Sequence, residues 1–318
     1  MKKWTTILFL LILNGNLFAQ QINPFTTADQ YVQQLGSLDA FSVASITDTL
    51  TKPFQSKVEK ARAIYSWMIQ HISIDPKASK SKDENKATPL KVMTTRQANA
   101  KGFANLFQEM CSQADIRCIV VEGFTRNNTE DIENIPDEAN HAWNVVQLGK
   151  SETEWWYVDA CKGSGSLDKR QTTFTRQPTY QYFFPSNSLF NLDHFATNKA
   201  WQLGESPASL KQFYSGPIIG YGAYIVGLKS PVPNHGKIKA SPGKSIRFRF
   251  QHDAAISIQS MSLQIGEGNK MIPSPPFNFN DENGWIEFGY IFKKEGDYPI
   301  SVFADKQLLL TYQLEVSE

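Results

Sequence analysis

His141 and Asp159 form the residue pair in this chain best suited to chemistry. An imidazole takes and returns protons near neutral pH, and a carboxylate beside it fixes its tautomer and orientation. The two lie 18 residues apart, on runs that read as neighbouring strands, His141 to Leu148 and Trp155 to Asp159, joined by a polar turn from Gly149 to Glu154. The natural third member would be a thiol in the first turn of a helix, where the helix dipole lowers a cysteine pKa. That helix is predicted from about Asn99 to Ala114, with Phe103, Leu106, Phe107 and Met110 on its apolar face. Its first-turn position, 41 residues before His141, is Ala100. A methyl group cannot attack a carbonyl, so a set of Ala100, His141 and Asp159 would lack its attacking group.

Three cysteines remain as substitutes. Cys111 sits eleven residues along the helix from Ala100, about 16 Å away at the α-helical rise. Cys118 opens the next strand. Cys161 lies two residues beyond Asp159 and, in an extended strand, points to the same face; it is the one alternative nucleophile. Cys111 and Cys118 are compatible either with a disulfide or with two small buried hydrophobes. The spacing holds no metal-ligand cluster, and neither a metal nor a cofactor is expected. Trp143, two residues past His141, is expected to border a substrate cleft with Ala100, while Trp155, Trp156 and Trp201 fit either a groove or a core.

The elements that must position these residues follow from periodicity. Ser56 and Glu59 fit a capping box before Val58, Ala61, Ile64, Tyr65, Met68 and Ile69 at helical spacing. Ser73 to Asn85 is polar and lysine-rich and reads as an exposed loop. Cys118 to Phe124 reads as a strand, Asn127 to Asn140 as an acidic loop, and Gln171 to Gly216 as loops and short helices. Beyond Gly220, Ser245 to Phe250, Ile256 to Gln264, Trp285 to Phe292, Tyr298 to Ala304 and Leu308 to Val316 read as short strands of a β-sandwich.

The chain has 318 residues, 41% of them hydrophobic and 12% aromatic, enough for two cores. Residues 1–19 read as a secretory signal: Lys2 and Lys3, an apolar run from Ile7 to Leu13, and a cleavage site between Ala19 and Gln20. Losing Lys2 and Lys3 would take the formal charge from +1 to −1. That balance gives no reason to expect nucleic acid as a partner, and no later segment is apolar enough to span a membrane.

Several segments together resemble the transglutaminase-like superfamily, in the branch that includes kyphoscoliosis peptidase and related cytokinesis proteins. They are EKARAIYSWMIQHISID (Glu59 to Asp75), RQANAKGFANLFQEMCSQADIRCIVVEGF (Arg96 to Phe124), NHAWNVVQL (Asn140 to Leu148), WWYVDACKGSG (Trp155 to Gly165) and FNLDHF with WQL (Phe190 to Leu203). In that family the nucleophile stands two residues before a Gly-aromatic-Ala tripeptide. Here Gly102, Phe103 and Ala104 put it at Ala100. The resemblance implies an α+β fold: a papain-like core over residues 20–215, with a helical lead-in, followed by an Ig-like β-sandwich over 225–318. It further implies either a thiol acyl transferase working through Cys161 or, with Ala100 in the nucleophile seat, a non-catalytic module. Such a module would be secreted or periplasmic and would hold a peptide or protein in the old cleft.

Overall fold

The computed structural model describes residues 24–38, 42–79, 84–149, 151, 154–266 and 271–318. The expected signal segment lies outside the described residues. Among those described, no helix is long and apolar enough to cross a membrane.

Four antiparallel strands form the sheet of the first half, in the order Trp155–Val158, His141–Gln147, Arg117–Thr125 and His194–Ala196. The Ala100–Gln113 helix lies against it. Its apolar stripe buries Phe103, Leu106, Phe107 and Met110 completely or nearly so. Asn99 caps its start by accepting the Gly102 amide at 2.8 Å. Asn144 ties strand to helix, its side-chain amide donating to the Ala104 carbonyl at 3.0 Å. The Lys57–His71 helix starts at Ser56, whose hydroxyl accepts the Val58 amide, and packs against the Thr26–Leu35 helix. There Arg62 forms a buried bidentate pair with Asp29 at 2.7 and 2.8 Å.

The α+β class and the C-terminal β architecture are as the sequence indicates. One sheet runs Lys229–Val232, Ser245–Gln251, Trp285–Ile291, Asn280–Glu282; the other runs Lys237–Ala240, Gln307–Val316, Gly296–Ala304, Met261–Ile265, Ile272–Pro273. Phe248, Phe250, Ile286 and Phe288 of the first, with Leu263, Ile300, Val302, Tyr312 and Leu314 of the second, are all buried.

Three expectations need correction. Ser73 to Asn85 is not simply a loop. Ser73–Ile74 pairs in parallel with Gln97–Ala98, and Pro76 opens a helical turn to Ser79 that buries Ala78. The strand expected from Ile256 begins only at Met261, because the Asp305 carboxylate captures the amides of Gln259 and Ser260 instead of a ladder partner. The strand expected to end in Asp159 stops at Val158, since Asp159 caps a short helix, Ala160–Ser164.

Candidate active site

The hairpin register explains how His141 meets Asp159. Asn144 faces Val158 across the strand pair, which leaves Asp159 at the strand end, beside the His141 end of its neighbour. As N-cap, Asp159 accepts the Lys162 amide on Oδ1 at 2.9 Å. That frees Oδ2, which pairs with His141 Nε2 at 2.7 Å. Burial alone would raise the Asp159 carboxyl, but the charge and hydrogen bond of His141, joined by a hydrogen bond from His194, hold it far below the usual carboxylate range. It is a buried anion.

Ala100 is the first residue of its helix, and it lines the same cavity of about 1010 Å³ as His141 and Cys161. With His141 Nε2 turned to Asp159, its Nδ1 is the nitrogen left for a reacting group. Ala100 and His141 therefore meet in one cavity, with a methyl group at the helix start, while Asp159 stays buried and holds His141.

Trp143 does not border that cavity. It is 1% exposed and packs edge-on against Phe190 and His194, at 5.8 and 5.0 Å between ring centres. Alternation from His141 keeps both side chains on one face, but there Trp143 is packed inside, its ring centre 6.3 Å from that of His141. Among the described residues, the cavity lining includes no tryptophan at all. Trp155 packs on Trp201, while Trp156 is half-exposed beside Phe184.

Cys161 was expected on an extended strand. It instead occupies the short helix capped by Asp159, and it is 5% exposed. Burial pushes its thiol up, and the Asp159 charge adds to that effect. Cys111 and Cys118 are both free thiols.

The residue that sequence reasoning missed is His194. It opens the outermost strand, opposite Thr125, and its Nε2 lies 3.0 Å from the same Asp159 oxygen that His141 uses. It stacks on Phe190, with centres 3.7 Å apart and rings 6° from parallel. Burial lowers the imidazole to about 4, against the pull of Asp193 and Asp159. Asp193 is itself neutralised by Lys162 at 2.8 Å and bonded by the Tyr224 hydroxyl at 3.0 Å. The signal was present, since the chain has five histidines and His194 lies within the FNLDHF segment that carries part of the resemblance. Its strand is three residues long, too short for alternation to reveal it. With it, His141, Asp159 and His194 offer three potential metal-ligand atoms within 4.8 Å of one another, a set the cysteine-centred reading did not anticipate.

Residues 44–160 match the family model of the transglutaminase-like superfamily. Kyphoscoliosis peptidase of Mus musculus is 33% identical over 201 residues, covering 63% of this chain and 30% of the relative. The Homo sapiens kyphoscoliosis peptidase is 31% identical over 225 residues, covering 70% and 33%. A Lim and transglutaminase domain protein of Caenorhabditis elegans is 28% identical over 193 residues, covering 56% and 26%. The chain thus spans about a third or less of the length of these curated relatives. Residues 44–160 are thus a transglutaminase-like domain, and the chain has homologues among the kyphoscoliosis peptidases.

Proposed function

We propose that the chain is an exported, non-catalytic transglutaminase-like module that holds a peptide segment of another protein in the cavity beside His141. The observation that carries this reading is Ala100 at the first turn of the Ala100–Gln113 helix, lining the cavity that His141 also lines. An acyl-enzyme mechanism needs a thiolate there, while a cavity of about 1010 Å³ has the size of a ligand site. Export rests on the basic and apolar N-terminus together with the Ala19–Gln20 junction.

Cys161 supports the second reading, an acyl transferase with a displaced nucleophile, because it too lines the cavity. Its burial, and a thiol held in the protonated form, weigh against it.

Alkylation and binding test the reading together. Wild type should show no turnover of amide or peptide substrates. Ala100→Cys should gain one thiol that iodoacetamide labels faster than free cysteine at pH 7, activated by the helix start and His141. Peptides captured by wild type should be lost on Ala100→Trp, which puts a bulky side chain into the cavity wall. Turnover that disappears on Cys161→Ser would overturn the proposal. N-terminal sequencing of the mature protein should begin at Gln20.

A further inference from the structure

We propose that His141, Asp159 and His194 form a site for one divalent transition-metal ion of the zinc class. Two imidazoles and a carboxylate are donors that Zn²⁺ and its neighbours accept readily. Ligand bonds of about 2.0–2.2 Å place adjacent donor atoms roughly 3 Å apart. Asp159 Oδ2 already lies 2.7 Å from His141 Nε2 and 3.0 Å from His194 Nε2, and the three donors fall within 4.8 Å of one another.

The surroundings of His194 point the same way. Its Nδ1 is buried and has no hydrogen-bond partner, yet Asp193 Oδ2 stands 3.7 Å from it. If Nε2 carries the proton towards Asp159, the Nδ1 lone pair faces a second carboxylate. With a metal on Nε2 the proton moves to Nδ1 and points at Asp193. This is the carboxylate–histidine–metal relay that orients metal-ligating imidazoles elsewhere. Asp193 is held for that task by Lys162 and by the Tyr224 hydroxyl. Asp159 is likewise fixed through Oδ1 by the Lys162 amide, leaving Oδ2 to the imidazoles.

Of the three ligands, His141 alone lines the cavity; Asp159 and His194 are buried. Ala100 lines it too and places no competing thiol there. Water, or a carbonyl or carboxylate of a bound peptide, would complete the sphere. The site is independent of the peptide reading, because it is measured without peptide, and peptide capture is measured in the presence of a chelator.

The test uses the full chain, stripped with EDTA and titrated with Zn²⁺. The expected result is one equivalent bound per chain, with a rise in Tm that EDTA reverses. His194→Phe, which keeps the stack on Phe190, should abolish uptake, and Asp193→Asn should weaken it about 10- to 100-fold. Should the His194→Phe chain fail to fold by circular dichroism, His141→Phe, at the cavity edge, makes the same comparison. Absence of stoichiometric uptake by wild type, or uptake unchanged in a folded His194→Phe or His141→Phe chain, would overturn the site.

Discussion

Asp193 is the residue on which the buried polar network turns. Its carboxylate takes the Lys162 ammonium at 2.8 and 2.9 Å and the Tyr224 hydroxyl at 3.0 Å, with His194 on its other side. Burial would raise its carboxyl, but Lys162, then His194, keep it below the ordinary value. Truncating one partner of a buried pair strands the other charge. Asp193→Ala should therefore destabilise the fold by about 3–5 kcal/mol in chemical denaturation. Lys162→Met combined with Asp193→Leu should recover much of that loss, since neither charge then remains unpaired.

The cysteines make a second residue-scale prediction. Burial pushes both Cys111 and Cys161 above the ordinary thiol value of 9.0, with Cys118 adding to the effect at Cys111 and Asp159 at Cys161. A raised thiol pKa means the neutral form persists at pH 7. Native protein should then show negligible alkylation at these two positions near neutrality, rising only well into the alkaline range, whereas the denatured chain labels all three cysteines at once. Mass mapping after timed iodoacetamide exposure reads this directly, and rapid labelling of Cys161 at pH 7 would contradict it.

At the scale of elements, the central strand Arg117–Thr125 does the positioning. Its Gly123 pairs with His141 on one side and with Ala196 on the other. A side chain at Gly123 would run into the Phe195 carbonyl and the Trp143 ring. Gly123→Ala should cost about 1–3 kcal/mol by overpacking, and it should loosen both imidazole strands at once, a change visible in the histidine ring NMR signals. The elements also show what the sequence could and could not reveal. The helix at Ala100 and the His141 strand were legible, because apolar spacing marks the first and a short apolar run between an acidic loop and a polar turn marks the second. The helical turn carrying Cys161 was not. One capping carboxylate diverts the chain after Val158, and five residues hold too little periodicity to announce a helix. Trp143 misled for a different reason. Alternation fixes the face a residue points to but not how far the cavity extends along it. His194 escaped because its strand is held by pairing to a distant segment rather than by any local pattern.

For the whole molecule, the joint between the two halves is a packed structure rather than a tether. Ile218–Ile219 pairs antiparallel with Leu310 and Thr311 of the sandwich, and the Tyr221–Val226 helix follows at once, with Ala223 fully buried. Gly220 passes so close to Leu308 that a Cβ there would meet its backbone carbonyl. Tyr224 reaches Asp193 in the first half, and Tyr221 and Leu308 line the cavity that His141 lines. One continuous cluster takes in buried apolar residues of both halves, beside a smaller one of Phe124, Phe195, Phe213 and Tyr214. Removing residues 217–318 would strip the cavity of Ile218, Ile219, Tyr221 and Leu308 and expose that shared apolar surface, whose burial is worth roughly 25 cal/mol per Å². A 20–216 fragment should therefore be unable to hold native tertiary structure, giving a flat near-ultraviolet dichroism spectrum and rapid proteolysis, while the full chain unfolds in one calorimetric transition with its two enthalpies in agreement. Two separated transitions in the full chain, or a protease-resistant 20–216 fragment, would show that the halves fold independently and that the wall of the cavity contributed by Leu308 is dispensable.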